Sequence, residues 1–386
     1  MPNARRTGTF TESVIREMTR VAQQHGAINL AQGFPDFPMP AQMKAAACAA
    51  INDDVNQYAI TWGAKALRDA IAGKYERRYG MHVDPERDLT IACGATEAMA
   101  AVFLALFDPG DEVLIFEPFY ENYGPDAILC EATPVFVPLS PPDWRFDETA
   151  LRASLTPRTR ALVLNSPHNP TGHVFSREEL AVIARICIEH DLLVLTDDPY
   201  EYILFAGEHV PMATLPGMAD RTVTISSLSK TFSITGWRIG YAIAHPDRTA
   251  AIRKVHDFLT VGAPAPLQQA AAIGYAFDDS YFRKLSADYQ ARRDYLGAAL
   301  RQSGFRFAEP QGAYYFLADF TELSSDDDVT FAKWMTKEIG VATVPGSSFY
   351  RPGAREGRRY VRFAFCKQQA TLERAVERLD RIRAMV

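Results

Sequence analysis

One lysine stands in the run "TISSLSKTFSITGWRIGYAIA", from Thr224 to Ala244: Lys230, set among hydroxyls and glycines, with one arginine, Arg238, eight residues on. An amine in such a small, apolar turn has the makings of a bond-forming nucleophile, and the guanidinium those of an anion holder. Other apolar runs end in similar groups. "ALVLNSP" leads into "HNPTG" with Asn169, and "LLVLT" leads into Asp197, Asp198, Pro199 and Tyr200. "TVTIS" leads to Ser227, and "YVRFAF" carries Arg362. After "DLTIAC" comes "GATEAM", a glycine turn and a helix start whose free N–H groups fall near Ala95 and Thr96. Unpaired N–H groups and the helix dipole favour a phosphate there. A carboxylate at the inner end of a buried strand is costly unless it meets a cation or a strong donor. Each residue alone also has an ordinary structural use, as a turn asparagine, a cap or a strand-end ion pair.

Together they amount to an amine, a carboxylate, a phenol, an amide, two guanidiniums and a phosphate-binding helix start. That is the set a pyridoxal phosphate site needs. A lysine bonds the aldehyde, an acid keeps the ring nitrogen protonated, donors reach the ring hydroxyl, and cations with N–H groups hold the phosphate.

The elements that must position these groups alternate. Strands are expected at 88–93, 112–118, 133–139, 161–167, 192–198, 222–226 and 239–244, with the near-continuous Val, Ile and Leu content of a mostly parallel sheet buried on both faces. Between them lie helical patterns at 95–107 and 176–190, the second opening on a capping-box spacing, Ser176 and Glu179. In such α/β sheets ligands bind at the carboxyl ends of the strands, where the residues above fall. After residue 280 the pattern changes to α+β: a helix at 279–304, then "GAYYFLADF", a helix at 328–340, "RRYVRFAF" and a final helix at 369–385. The expected organisation is an N-terminal segment, 1–45, packing with the C-terminal part; a large cofactor-binding domain, 46–280, with a seven-stranded sheet sandwiched by helices; and a small α+β domain, 281–386.

The motifs "NPTG", "DDPY", "SLSKTFSITGWRIG" and "VRF", in this order, closely resemble the class I aminotransferases of the aspartate-aminotransferase fold, pyridoxal phosphate fold type I. The resemblance runs from "NLAQGFPDFP" to "RRYVRFAF"; "QGFPDFP" and "PHNPTG" look most like the kynurenine, glutamine or methionine aminotransferase branch. It implies that Lys230 is the Schiff-base lysine and proton carrier, and that Asp197 pairs with the pyridine nitrogen. Asp198 is the competing candidate, but only Asp197 has the D-x-x-Y spacing to Tyr200. It implies further that Tyr200 and Asn169 donate to the ring hydroxyl, and that Ser227, Arg238, Ala95 and Thr96 hold the phosphate. Tyr120, with Phe119 as the rival, would stack on the ring. Arg362 would grip the substrate α-carboxylate, and the Gly33 backbone would close over the substrate. Tyr58 would reach the cofactor of a neighbouring subunit, which makes the protein a homodimer.

The implied reaction moves an amino group between an amino acid and a 2-oxo acid by a ping-pong cycle. The alternative is a cysteine-S-conjugate β-lyase, which needs the same Lys230, Asp197 and Arg362. Aromatic residues near the expected entrance (Phe34, Tyr58, Trp62, Tyr120, Tyr123, Phe349 and Tyr350) favour a neutral or aromatic side chain. The tryptophan that the resemblance implies in the N-terminal pocket wall is not evident, and Ile15 falls near that place, which argues against a strict kynurenine preference.

The 386 residues, 47% hydrophobic, suffice for a large core. A net charge of −6 leaves no footprint for nucleic acid. The 5 cysteines are scattered without a CxxC pair, so neither a disulfide framework nor a zinc site is expected. The dispersed histidines, His168 and His173 among them, do not form a metal set. No G-x-G-x-x-G marks a nicotinamide fold, and no apolar run is long enough to span a bilayer. With no apolar leader at the N-terminus, a cytoplasmic enzyme is expected.

Overall fold

A computed structural model describes residues 4–385. Its main sheet has eight strands in the order Leu89–Ala92, Gly240–Ile243, Thr222–Ser227, Leu193–Asp197, Thr159–Asn165, Glu112–Glu117, Thr133–Ser140 and Arg145–Phe146. The pairs from Thr222–Ser227 through to Thr133–Ser140 are parallel, whereas Gly240–Ile243 runs antiparallel to both its neighbours. Every residue of Leu89–Ala92, Glu112–Glu117 and Thr222–Ser227 is buried, as expected of apolar strands covered on both faces. The expected seven strands are all present. The eighth, Arg145–Phe146, is an antiparallel edge pairing of two residues, too short to show any periodicity.

Helices cover this sheet. Gly94–Leu106 buries Ala98, Met99, Ala101, Val102 and Phe103. Arg177–Glu189 carries the expected capping box: Glu179 N donates to Ser176 Oγ at 3.2 Å, and Ser176 N donates to Glu179 Oε2 at 2.9 Å.

Beyond the 25-residue helix Asp279–Ser303 lies a second sheet, Tyr315–Asp319, Tyr360–Ala364 and Val344–Pro345, all antiparallel. Arg362 sits on its central strand, opposite Leu317 on one side and Val344 on the other. The N-terminal segment joins this part of the chain. Ile28–Asn29 pairs in parallel with Val341–Ala342, and Ala364 N donates to Leu30 O at 2.7 Å. Lys367 Nζ donates to Phe34 O at 2.8 Å. These bonds carry Gln32 and Gly33 to the carboxyl ends of the main sheet. No described helix is long and apolar enough to cross a membrane.

Candidate active site

Sheet register gathers the chemistry at one place. Asn165 and Asp197 are direct partners across their strands, and Ala92 and Ser227 both face Gly240. A cavity of about 200 Å³ opens there. Lys230, Asp197, Tyr200, Asn169, Ser227, Arg238, Ala95, Thr96, Tyr120, Gly33 and Arg362 all line it. Tyr58 does not; it is 82% exposed on its own chain.

Two carboxylates compete at the end of Leu193–Asp197, and the pleat separates them. Asp197 lines the cavity: its Oδ2 accepts from the Tyr123 hydroxyl at 2.6 Å, while Oδ1 is buried without a partner. Burial pushes its carboxyl up to about 6, against the pull of the Tyr123 hydroxyl and Lys230. Asp198 points elsewhere and accepts from Thr196 Oγ1 at 2.8 Å. Behind it, buried Lys74 donates to Glu201 Oε1 at 2.7 Å, and the Tyr79 hydroxyl donates to Glu201 Oε2 at 2.7 Å. This buried pair pins the turn that carries Asp197 to Tyr200. Asn165 Nδ2 adds a bond to Asp197 O at 2.6 Å, and Asn165 Oδ1 accepts from Asn169 N at 2.7 Å.

Lys230 is lightly held. Its Nζ donates to Gly33 O at 3.2 Å and lies 6.0 Å from the Tyr314 ring centroid. Desolvation lowers the amine to about 8, helped by Arg238 and Arg362 and opposed by Cys366 and Asp197. A free amine is therefore far more populated near neutrality than on an ordinary lysine.

Close backbone approach shapes the cavity. A Cβ on Gly94, whose φ is +82°, would lie 2.3 Å from Arg238 Nη2, and one on Gly240 would lie 2.4 Å from Ala95 N. Glycine at both places lets the guanidinium and the helix start converge with Ser227, which suits an anion. A Cβ on Gly33 would lie 2.0 Å from the Tyr315 hydroxyl, so only glycine lets this segment cover the cavity.

Arg362 is 1% exposed between the rings of Tyr315 and Phe349, at 4.1 and 4.7 Å from their centroids. Its Nη1 donates to Asn169 Oδ1 at 2.8 Å and Nη2 to Ala31 O at 2.9 Å, leaving Nε unpartnered. The Tyr200 and Tyr315 hydroxyls are 3.0 Å apart. Of the rival aromatics, Tyr120 lines the cavity, whereas Phe119 stacks on Phe136 at 4.9 Å. Among the other expected entrance aromatics only Tyr123 lines the cavity; Trp62 lies against Arg253 and Phe34 against Lys367.

Sequence reasoning missed several lining residues: Asn165, Tyr315, Ser229, and the polar group Ser13, Arg16, Gln32 and Asn122. Asn165 carried a signal, since it ends a buried apolar strand in the same register as Asp197. The polar group carried none, because it comes from segments brought together only by tertiary packing.

Comparison with known proteins adds an independent line. The family described as "Aminotransferase class I and II" matches residues 25–379. The chain is 42% identical to the probable N-succinyldiaminopimelate aminotransferase of Mycobacterium tuberculosis, over 96% of each chain. A solved structure of the N-succinyldiaminopimelate aminotransferase from that organism superposes with a TM-score of 0.96, covering 99% of this chain and 100% of that one. The methionine aminotransferase of Escherichia coli is 38% identical over 96% of each chain. Mouse kynurenine–oxoglutarate transaminase 3 is 36% identical over 97% of this chain and 89% of its own.

Proposed function

Because the chain belongs to the class I and II aminotransferases, fold type I enzymes that use pyridoxal phosphate to exchange amino groups between amino acids and 2-oxo acids, we propose the following division of labour in its cavity. The observation that carries it is one shared space holding a lightly tethered amine, a buried carboxylate with a free oxygen and a buried guanidinium.

The donor set fits the cofactor. Asp197 Oδ1 is a buried acceptor awaiting an N–H, and the Gly94–Gly240 approach leaves an anion cradle at the opposite end. Asp197 would meet the ring nitrogen, and Tyr200 with Asn169 the ring hydroxyl. Ser227, Arg238 and the N–H groups of Ala95 and Thr96 would hold the phosphate, with Tyr120 against the ring face. When bound, pyridoxal phosphate supplies an aldehyde that bonds amines and a ring that draws electron density from the substrate's α-carbon. Arg362 fixes the substrate α-carboxylate, with Asn169 orienting the guanidinium. Lys230 Nζ removes and returns the proton at the substrate, and the Gly33 main chain covers the reacting atoms and excludes water.

The sequence points to a neutral or aromatic amino donor, and the methionine and kynurenine relatives support that breadth. β-Elimination from cysteine conjugates is the competing outcome. Mixing cofactor-loaded enzyme with one amino acid at a time separates the two. The expected result is conversion of the cofactor to its amine form with release of the matching 2-oxo acid. Pyruvate and ammonia from cysteine conjugates, without amine-form cofactor, would replace transamination by elimination.

A homodimer completes this reading. Tyr58, Ile60, Phe258 and Leu259 are exposed, and their segments are tied by Thr61 Oγ1 donating to Asp257 Oδ1 at 3.3 Å. An exposed apolar cluster of this kind supports a subunit contact, with Tyr58 reaching the neighbouring phosphate. Tyr58→Phe is expected to weaken cofactor retention several-fold while the dimer persists in sedimentation. A fully active monomer would overturn that role. The division at residues 45 and 280 is part of the same reading, supported by the pairing of Ile28–Asn29 with Val341–Ala342.

A further inference from the structure

Tyr315 opens the strand Tyr315–Asp319 of the second sheet, opposite Ala364, while Arg362 stands opposite Leu317. Partners across an antiparallel pair share a face, so Tyr315 and Arg362 are diagonal neighbours on one side of this sheet. The guanidinium carbon of Arg362 accordingly lies 4.1 Å from the Tyr315 ring centroid. Both side chains are buried, and both line the cavity. The hydroxyl at the end of that ring reaches beyond the second sheet. It lies 3.0 Å from the hydroxyl of Tyr200, on the turn that follows the main-sheet strand Leu193–Asp197. Gly33 packs against the same hydroxyl, where a Cβ would lie 2.0 Å away.

Two protonated hydroxyls with one bond between them leave one proton to give. Burial raises both phenols, so each keeps its proton around neutrality; the titratable groups facing them are Arg362, Tyr120, Tyr314 and Cys366. The Tyr314 proton is already committed, since its hydroxyl donates to Gly33 O at 2.9 Å. Tyr200 makes no other hydroxyl hydrogen bond among the described residues. When Tyr200 turns its proton toward the cavity, its oxygen is left to accept from Tyr315.

We propose that Tyr315 is a positioning residue with two ends: its ring seats the Arg362 guanidinium, and its hydroxyl donates to the Tyr200 oxygen and so directs the Tyr200 proton into the cavity. This rests on the reading above, in which Tyr200 donates to the ring hydroxyl of the cofactor. A hydroxyl that accepts one hydrogen bond is a stronger donor in the next. One side chain thus aligns the group that holds the substrate carboxylate and strengthens the group that polarises the cofactor.

Tyr315→Phe keeps the ring and removes the hydroxyl. A weaker donor at the cofactor's ring oxygen disfavours negative charge there, so a nearby proton is held more tightly. The midpoint of the holoenzyme's visible absorbance, titrated with pH, is therefore expected to move up by about half a unit. That is a roughly threefold change in proton affinity, the scale of one neutral hydrogen bond. In a Tyr200→Phe background the same substitution should leave the midpoint where Tyr200→Phe alone puts it, because Tyr315 acts through Tyr200. KM for the amino donor should hold in Tyr315→Phe and rise about tenfold in Tyr315→Leu, which also takes the ring from Arg362. An unmoved midpoint in Tyr315→Phe, or an equal shift with and without the Tyr200 hydroxyl, would overturn the link between the two tyrosines. A KM rise in Tyr315→Phe as large as that in Tyr315→Leu would overturn the part given to the ring. A parent protein that shows no visible band with pyridoxal phosphate and converts no amino acid would remove the transaminase reading, and this one with it.

Discussion

Lys230→Ala is expected to lower turnover about 10⁴-fold, the upper range for a positioned proton-transfer group. The loss should appear in kcat, because Arg362 still holds the α-carboxylate. A folding defect is not expected to explain it. Lys230 Nζ makes a single bond, to Gly33 O at 3.2 Å, and desolvation lowers the amine to about 8. A lysine depressed in the folded state binds fewer protons there than in the unfolded chain, so stability rises with pH between about 8 and the ordinary lysine value. Below that window the desolvated amine works against folding, and the alanine variant should therefore unfold no earlier than the parent near neutrality. The same shift predicts that apoprotein captures pyridoxal phosphate faster as pH rises through about 8, since the free amine attacks the aldehyde. Stopped-flow absorbance measures that limb. Full activity in Lys230→Ala, or a capture rate flat from pH 7 to 9, would contradict the role assigned to this amine.

How much of this was legible before the structure depends on where each residue's partners lie in the chain. Lys230, Asp197, Asn169 and Arg238 sit at the ends of apolar strands, so local pattern and the strand-end rule place them in one layer. The choice between Asp197 and Asp198 is also local, because it rests on the D-x-x-Y spacing from Asp197 to Tyr200. Arg362 was legible only through its motif, since burial between Tyr315 and Phe349 depends on a sheet formed far along the chain. Tyr123 was named as an entrance aromatic, yet its hydroxyl bonds the buried Asp197 at 2.6 Å. Arg16 and Ser13 were not legible at all. Their helix is seated by the pairing of Ile28–Asn29 with Val341–Ala342, more than three hundred residues away in the chain. Amphipathic spacing shows which helix face is buried but not that its polar first turn closes a cavity.

Asp197→Asn is expected to lower kcat about 10² to 10³-fold, the scale for removing one preorganised electrostatic partner from a site that excludes water. The change is nearly isosteric. The Asn carbonyl can still accept from Tyr123, and Asn165 Nδ2 still reaches the main-chain oxygen at 2.6 Å, so the strand end should keep its place. What goes is the negative charge that would face the ring nitrogen. The pH dependence separates this from a packing effect. Burial holds this carboxyl at about 6, so the anion is present above that pH and lost below it. On the proposed reading the anion would pair with the protonated ring nitrogen, and cofactor affinity in the parent should therefore fall as pH drops through about 6. The Asn variant has no such group, and its weaker affinity should run level across that range. Tyr123→Phe moves the limb in the opposite sense to a simple loss: without the hydroxyl that favours the anion, the carboxyl rises and the fall begins at higher pH. Asp198→Asn serves as the control for assignment. Asp198 is turned toward Thr196 and the Lys74–Glu201 pair, and it carries no such charge toward the cavity. If Asp198→Asn abolished the acidic limb while Asp197→Asn kept it, the two carboxylates would have to exchange roles. The uncommitted Oδ1 of Asp197 would then need another donor.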